Sequence, residues 1–162
     1  MLILGIDPGL RLTGYGLVSL TRGKVALQEA GVLRMKSKGD LATRVMELHA
    51  SVSELIRDFS PDKVAVEQLY AHVKHPRTSI LMGHARGVIL LAAAQGNLPV
   101  TNLASTAVKR AITGNGHASK AQVQRAVASL CRLASPPEPP DVADAIAIGW
   151  TLAHQIMRER PT

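Results

Sequence analysis

A chain of 162 residues can bury one ordinary core without disulfides or metal staples, so residues 1–158 are expected to form a single domain, with 159–162 as a tail. Its 19 basic and 12 acidic residues leave a formal charge of +7, a balance that favours a polyanionic partner, nucleic acid or an anionic membrane. The membrane is set aside because no membrane segment appears and the start, Met1 to Ile6, is a short apolar strand without a basic leader or cleavage site.

In chain order, Leu2 to Asp7 is nearly all apolar, as expected of a central strand covered on both faces, and Pro8-Gly9 breaks it. Thr13 to Leu20 and Lys24 to Met35 follow as two strands joined at Arg22-Gly23. Alternation then sets in: a helix over 40–59, a strand over 62–68, a helix over 77–95, a strand over 98–103, and helices over 105–112, 120–133 and 142–157. This order predicts an α/β fold, a five-stranded mixed sheet in which an antiparallel meander is continued by right-handed crossovers, with helices on both faces. The helix over 77–95 is apolar or small nearly all round, including Ile80, Gly83, Ala85, Gly87 and Leu91. One sheet covers only one side of a helix, so the other side is expected to meet a second copy of the chain in a homodimer. Cys131 stands alone, which excludes an internal disulfide, suits the cytoplasm and reads as a small buried hydrophobe.

The acids are distributed unevenly. Between Glu67 and Glu138 no Asp or Glu occurs, while Lys74, Arg77, Arg86, Lys109, Arg110, Lys120, Arg125 and Arg132 all fall inside that stretch. At or just beyond its edges lie Glu67, Asp141 and Asp144, and Asp7 closes the first strand. Asp7 and Glu67 each end a buried strand, where a carboxylate is costly unless it is paired or bound to metal, and strand ends are where open sheets build their sites. Asp141 and Asp144 also suit an N-cap and a first helical turn, where they complement the helix dipole. Yet the stripe that continues from them, Ala145, Ile148 and Leu152, is the apolar face, so both carboxylates are expected to point towards the sheet. Four inward acids beside a phosphate-attracting surface imply divalent cations. Hard oxygen ligands select Mg²⁺ or Mn²⁺, and two ions per site would suit hydrolysis of a phosphodiester. These features point to a metal-dependent nuclease.

Ser119 to Gln122 forms a capping box that places Lys120 in the first helical position, against the dipole but well placed for a bound phosphate. Lys109 and Arg110 are expected to meet backbone phosphates. Tyr70 sits just past Glu67 in a loop with His72, Lys74, His75 and Arg77, where an aromatic ring among cations makes a stacking platform for an unpaired base. The two histidines lack a third ligand at useful spacing, so zinc is not expected.

Gly5-Ile6-Asp7-Pro8-Gly9, Thr13-Gly14-Tyr15-Gly16, Val66-Glu67-Gln68, Gly83-His84-Ala85-Arg86-Gly87, the segment Gly114 to Val123 and Asp141-Val142-Ala143-Asp144-Ala145 together resemble the RuvC family of bacterial Holliday-junction resolvases, in order and over nearly the whole chain. The resemblance implies a ribonuclease H-like fold, a homodimer built on the helix over 77–95, Mg²⁺-dependent paired nicks in four-way DNA junctions during recombination and repair, and partnership with the RuvA and RuvB branch-migration proteins. It places the family's acidic tetrad on Asp7, Glu67, Asp141 and Asp144, its functional lysines on Lys109 and Lys120, and its stacking aromatic, commonly Phe, on Tyr70. Two other readings stay open: a related nuclease acting on structured RNA, and a non-catalytic junction-binding module.

Overall fold

The computed structural model describes residues 1–35, 39–69 and 76–159. Five strands, β1 (Leu2–Asp7), β2 (Leu12–Thr21), β3 (Lys24–Arg34), β4 (Lys63–Glu67) and β5 (Val100–Leu103), form one sheet in the order β3-β2-β1-β4-β5. β1, β2 and β3 pair antiparallel, whereas β4 joins β1 and β5 joins β4 in parallel, which makes the sheet mixed as expected. The β2–β3 hairpin turns on Arg22 and Gly23, both at positive φ, the two-residue turn whose twist matches that of the flanking strands.

The five helices divide between the two faces. α1 (Leu41–Phe59) and α2 (Pro76–Gln95) pack on one side, burying Leu48, Val52, Ala85 and Ile89 against Leu4, Ile6, Val64 and Val66. α3 (Ser105–Thr113), α4 (Lys120–Cys131) and α5 (Pro140–Glu159) pack on the other, where Val108, Val123, Ile146 and Trp150 join Ile3, Val18 and Ala65. Asp40 starts α1 by accepting hydrogen bonds from the Thr43 amide and hydroxyl at 2.9 and 2.8 Å, which hold its carboxyl below the usual value.

α5 is buried almost all round from Val142 to Ala153. It lies unusually close to the sheet because glycines face it: a methyl group built on Gly5 would stand 2.9 Å from the Cα of Gly149. Gly14 fills the same role under the first turn of α5, where an added methyl would stand 2.5 Å from the carbonyl carbon of Asp141.

Three expected boundaries change. α5 begins at Pro140, the residue type suited to the first helical position, so Asp141 lies inside the first turn and is not its N-cap. α4 stops at Cys131 because Arg132 adopts the left-handed conformation and the Leu133 amide turns back to the carbonyl of Ala128. Leu98 closes the C-terminus of α2 through its amide to Ala93, so β5 starts only at Val100. Cys131 packs half-buried against the α5 core, and burial pushes its thiol up to about 11, as suits an unreactive small hydrophobe.

Candidate active site

Alternation along β1 sends Leu4 and Ile6 towards α1 and α2, and therefore Ile3, Gly5 and Asp7 towards α5. β4 alternates in step: Val64 and Val66 face α2, Ala65 and Glu67 face α5. Since Ile6 lies opposite Val66 in the parallel pairing, the next position sets Asp7 and Glu67 side by side at the carboxyl ends of neighbouring strands. The turn after Asp7 is locked by the buried Thr13, whose hydroxyl accepts from the Gly9 amide at 3.2 Å and donates to the Gly9 carbonyl at 2.6 Å.

The first turns of α5 bring Asp141 and Asp144 over this pair, one helical turn apart on one face. All four acids line a single cleft of about 360 Å³, together with Ser105, Lys109 and Lys120. The side chain of Asp144 is only 24% exposed. Its carboxylate lies 3.7 Å from the ammonium of Lys120, the first residue of α4 after the capping box on Ser119. Both hydrogen bonds of that box are made.

Burial, with repulsion between neighbours, raises three of the four carboxylates. Asp7 is raised well above its ordinary value, first by burial and then by repulsion from Asp144, Glu67 and Asp141, with Lys120 opposing. Burial also raises Glu67, against which a hydrogen bond from Ser105 and the charges of Lys109 and Lys120 work. Asp144 is raised by burial, with Lys120 again pulling the other way. Among the described residues no three His, Cys, Asp or Glu side chains stand close enough to form a finished metal cage.

The other sequence candidates fall into two groups. Arg77 and Arg110 are exposed and do not line the cleft, although Arg110 lies one residue beyond Lys109 on α3. Tyr70 and Lys74, with His72 and His75, lie outside the described residues. Two side chains escaped the sequence reading. Ser105 is the first residue of α3, directly after β5, and its hydroxyl donates to the Glu67 carboxylate. The signal was available, since β5 runs parallel to β4 and its carboxyl end must reach the same edge as Glu67. Arg86 stands in the sequence as one base of the acid-free stretch and as part of the Gly83 to Gly87 motif, with no link to an acid, yet its Nε donates to the Glu67 carbonyl at 3.2 Å.

Comparison with known proteins agrees with this arrangement. The family model for "Crossover junction endodeoxyribonuclease RuvC" matches residues 3–154. The chain belongs to the RuvC family. A crossover junction endodeoxyribonuclease RuvC from Rhodopirellula baltica is 50% identical over 146 residues, 90% of this chain and 82% of the relative. The RuvC of Pelotomaculum thermopropionicum is 41% identical over 99% of this chain and 97% of its own. Among solved structures, Thermus thermophilus RuvC in complex with Holliday junction substrate has a TM-score of 0.86 at 33% identity, covering 98% of this chain and 96% of that one. The yeast mitochondrial Holliday junction resolvase, at 15% identity and a TM-score of 0.62, shares the fold. The resemblance in the motifs is thereby borne out, as is the α/β, ribonuclease H-like fold it implied. No helix among the described residues is long and apolar enough to cross a membrane.

Proposed function

We propose that this chain, with residues 1–158 acting as one nuclease unit, is a structure-selective endodeoxyribonuclease that resolves four-way DNA junctions by paired, symmetric nicks in recombination and repair. The observation that carries this reading is the convergence of four carboxylates from three distant segments on one cleft that also holds Lys109 and Lys120. The donor set suits Mg²⁺, with Mn²⁺ as substitute, because it offers only hard oxygens. The raised values of Asp7, Glu67 and Asp144 support the same conclusion, since burial first and neighbouring acids second raise them, and a bound cation offsets both. Asp7, Glu67, Asp141 and Asp144 are assigned as the ligands of two ions per site. When bound, the ions supply Lewis-acid activation of a water and charge for the departing oxygen of the phosphodiester.

The chain's own residues divide the remaining work. Lys120 holds the negative charge that develops on the phosphate, and Ser105 keeps the Glu67 carboxylate aimed into the cleft. Lys109, Arg110, Lys74 and Arg77 hold backbone phosphates, and Tyr70 stacks on an unpaired base. A homodimer is supported by α2, on which Ile80 and Leu91 are 62% and 52% exposed and Gly83 and Gly87 meet open space. Two sites related by a two-fold axis match the approximate two-fold axis of a four-way junction, so each site cuts one of two strands of like polarity. Partnership with RuvA and RuvB, and action in the cytoplasm, are part of the proposal.

One assay tests the proposal. Purified protein with Mg²⁺ is offered a synthetic four-way junction, a linear duplex and a structured RNA hairpin. Symmetric nicks in the junction are expected, with the duplex and the RNA left intact. Cleavage of the RNA instead would establish the related RNA nuclease, and binding without any cleavage the non-catalytic module. Affinity for every DNA should fall steeply with salt, about 0.9 counterion being released per neutralised phosphate, while the preference for the junction persists.

A further inference from the structure

The acidic cleft needs Glu67 at a fixed depth, yet Glu67 is the last residue of β4, where the sheet ladder stops supporting the main chain. On the far side its amide neighbour is still tied, because the Gln68 amide donates to the carbonyl of Leu103 at 2.8 Å. The Glu67 carbonyl is held from another direction. Arg86, half-buried on α2, reaches across the sheet edge and places two donors of its planar guanidinium on two strands: Nε on the Glu67 carbonyl at 3.2 Å and Nη2 on Oδ1 of Asn102 in β5. Asn102 stands opposite Val66, one rung before Glu67, on the α2 side of the sheet. The guanidinium thus bridges the last rungs of β4 and β5 from the α2 side of the sheet, about one turn beyond Met82, which lines the cleft.

Resting on the reading of Glu67 as a metal ligand, we propose that Arg86 is a positioning residue of the RuvC-type site, a clamp that sets the main chain of Glu67 from α2. Three features distinguish it from the other bases of the acid-free stretch. It does not line the cleft, so it is not placed to hold the phosphate being cut. Both of its described acceptors belong to strand ends of the sheet and neither to a carboxylate, so it serves geometry and leaves the charge of the cleft to Lys109 and Lys120. It also precedes Gly87 on α2, beside the stripe of open surface at Gly83 and Gly87, so the helix that carries the clamp also carries the face assigned to a second copy. A residue that orients a metal ligand from behind acts on metal affinity and rate while leaving substrate affinity alone.

The test uses Arg86→Met, which keeps the length of the stem, with Arg86→Lys, Asn102→Ala and, as a control on the site itself, Glu67→Gln. Two readouts are taken on the full chain: the Mn²⁺ concentration at the midpoint of metal-induced thermal stabilisation without DNA, and single-turnover cleavage at saturating junction in Mg²⁺. Arg86→Met is expected to move the Mn²⁺ midpoint upward by about 10-fold and to slow cleavage by about 10- to 100-fold, the range found when a residue behind a metal ligand is lost. Junction affinity in EDTA and the sedimentation of the dimer should match the parent. Arg86→Lys, which reaches one acceptor at a time, should recover part of both losses, and Asn102→Ala should shift the midpoint in the same direction by less. If Arg86→Met does not fold, the Asn102→Ala midpoint decides alone. An unchanged midpoint overturns the clamp, and so does a loss of junction affinity or of dimer in proportion to the loss of cleavage. Normal cleavage by Glu67→Gln would instead remove the site reading on which the clamp rests, so the two failures are distinguishable.

Discussion

Gly14→Ala tests how closely the placement of α5 sets the acidic cleft. The new methyl group would stand 2.5 Å from the carbonyl carbon of Asp141, 3.2 Å from the Val142 amide nitrogen and closer still to the Asp141 carbonyl oxygen. Ordinary contact begins at 3.4 Å, so the first turn of α5 must retreat by at least about 0.9 Å, and all the atoms in the way are backbone. That retreat carries Asp141 and Asp144 away from Asp7 and Glu67. Overpacking of this kind costs about 1–3 kcal/mol in stability. A displacement near 1 Å at reacting groups costs about 100-fold in rate. Gly16→Ala is the comparison: its methyl meets the Cα and nitrogen of Ile146 at 2.9 and 3.0 Å, a smaller intrusion placed further from the acids. Both variants should melt lower than the parent. Only Gly14→Ala should lose about two orders of magnitude in single-turnover cleavage, measured at a temperature where both are folded. Equal rates for the two variants at equal folded fraction would refute the argument that α5 seating positions the carboxylates.

Three further outcomes are expected. In EDTA the folded protein holds protons on Asp7, Glu67 and Asp144 more tightly than the unfolded chain, because all three are raised, so stability falls as pH rises through the window above the ordinary carboxylate values. The melting temperature should therefore climb as pH is lowered from neutral into that window, saturating Mg²⁺ should reverse the trend, and Asp7→Asn should flatten it and abolish cleavage with junction binding kept; a parent-like EDTA profile for Asp7→Asn would contradict the assignment. Lys120 is 70% exposed and opposes the helix dipole by about 0.3–1 kcal/mol, which offsets a solvent-screened ion pair with the less exposed Asp144 worth about 0–1 kcal/mol, so Lys120→Ala should melt like the parent yet cut roughly 100-fold more slowly. A large loss of stability with normal cleavage would show that its role is structural. Gly87→Leu should fold, since nothing lies within 4 Å of an added Cβ, but sediment with less dimer and leave junctions nicked on one strand; undiminished dimer would exclude this face of α2 as the contact.

Much of this protein is legible from local pattern. The apolar run closed by Asp7-Pro8-Gly9, the meander followed by alternation, the capping box that starts α4 and the all-round apolar character of α2 are short-range signals, and each gave its element to within a few residues. The four acids stood out because a carboxylate at the end of a buried strand, or on the apolar stripe of a helix, is costly without a partner. What pattern could not supply was distance in space. Only the parallel pairing of β4 with β1 sets Glu67 beside Asp7, sixty positions earlier in the chain, and register is settled by packing of whole faces rather than by either strand alone. The position of Asp141 within the first turn of α5 depended on where Pro140 let the helix begin. Gly14 looked like one small residue in a motif until the close approach of α5 showed why a side chain has no room there. Arg86 and Ser105 stayed hidden for the same reason: a hydrogen bond to Glu67 from α2 or α3 exists only after sheet order and helix placement are decided, because the hydrogen bond acts over about 3 Å while the chain between its partners runs through other elements.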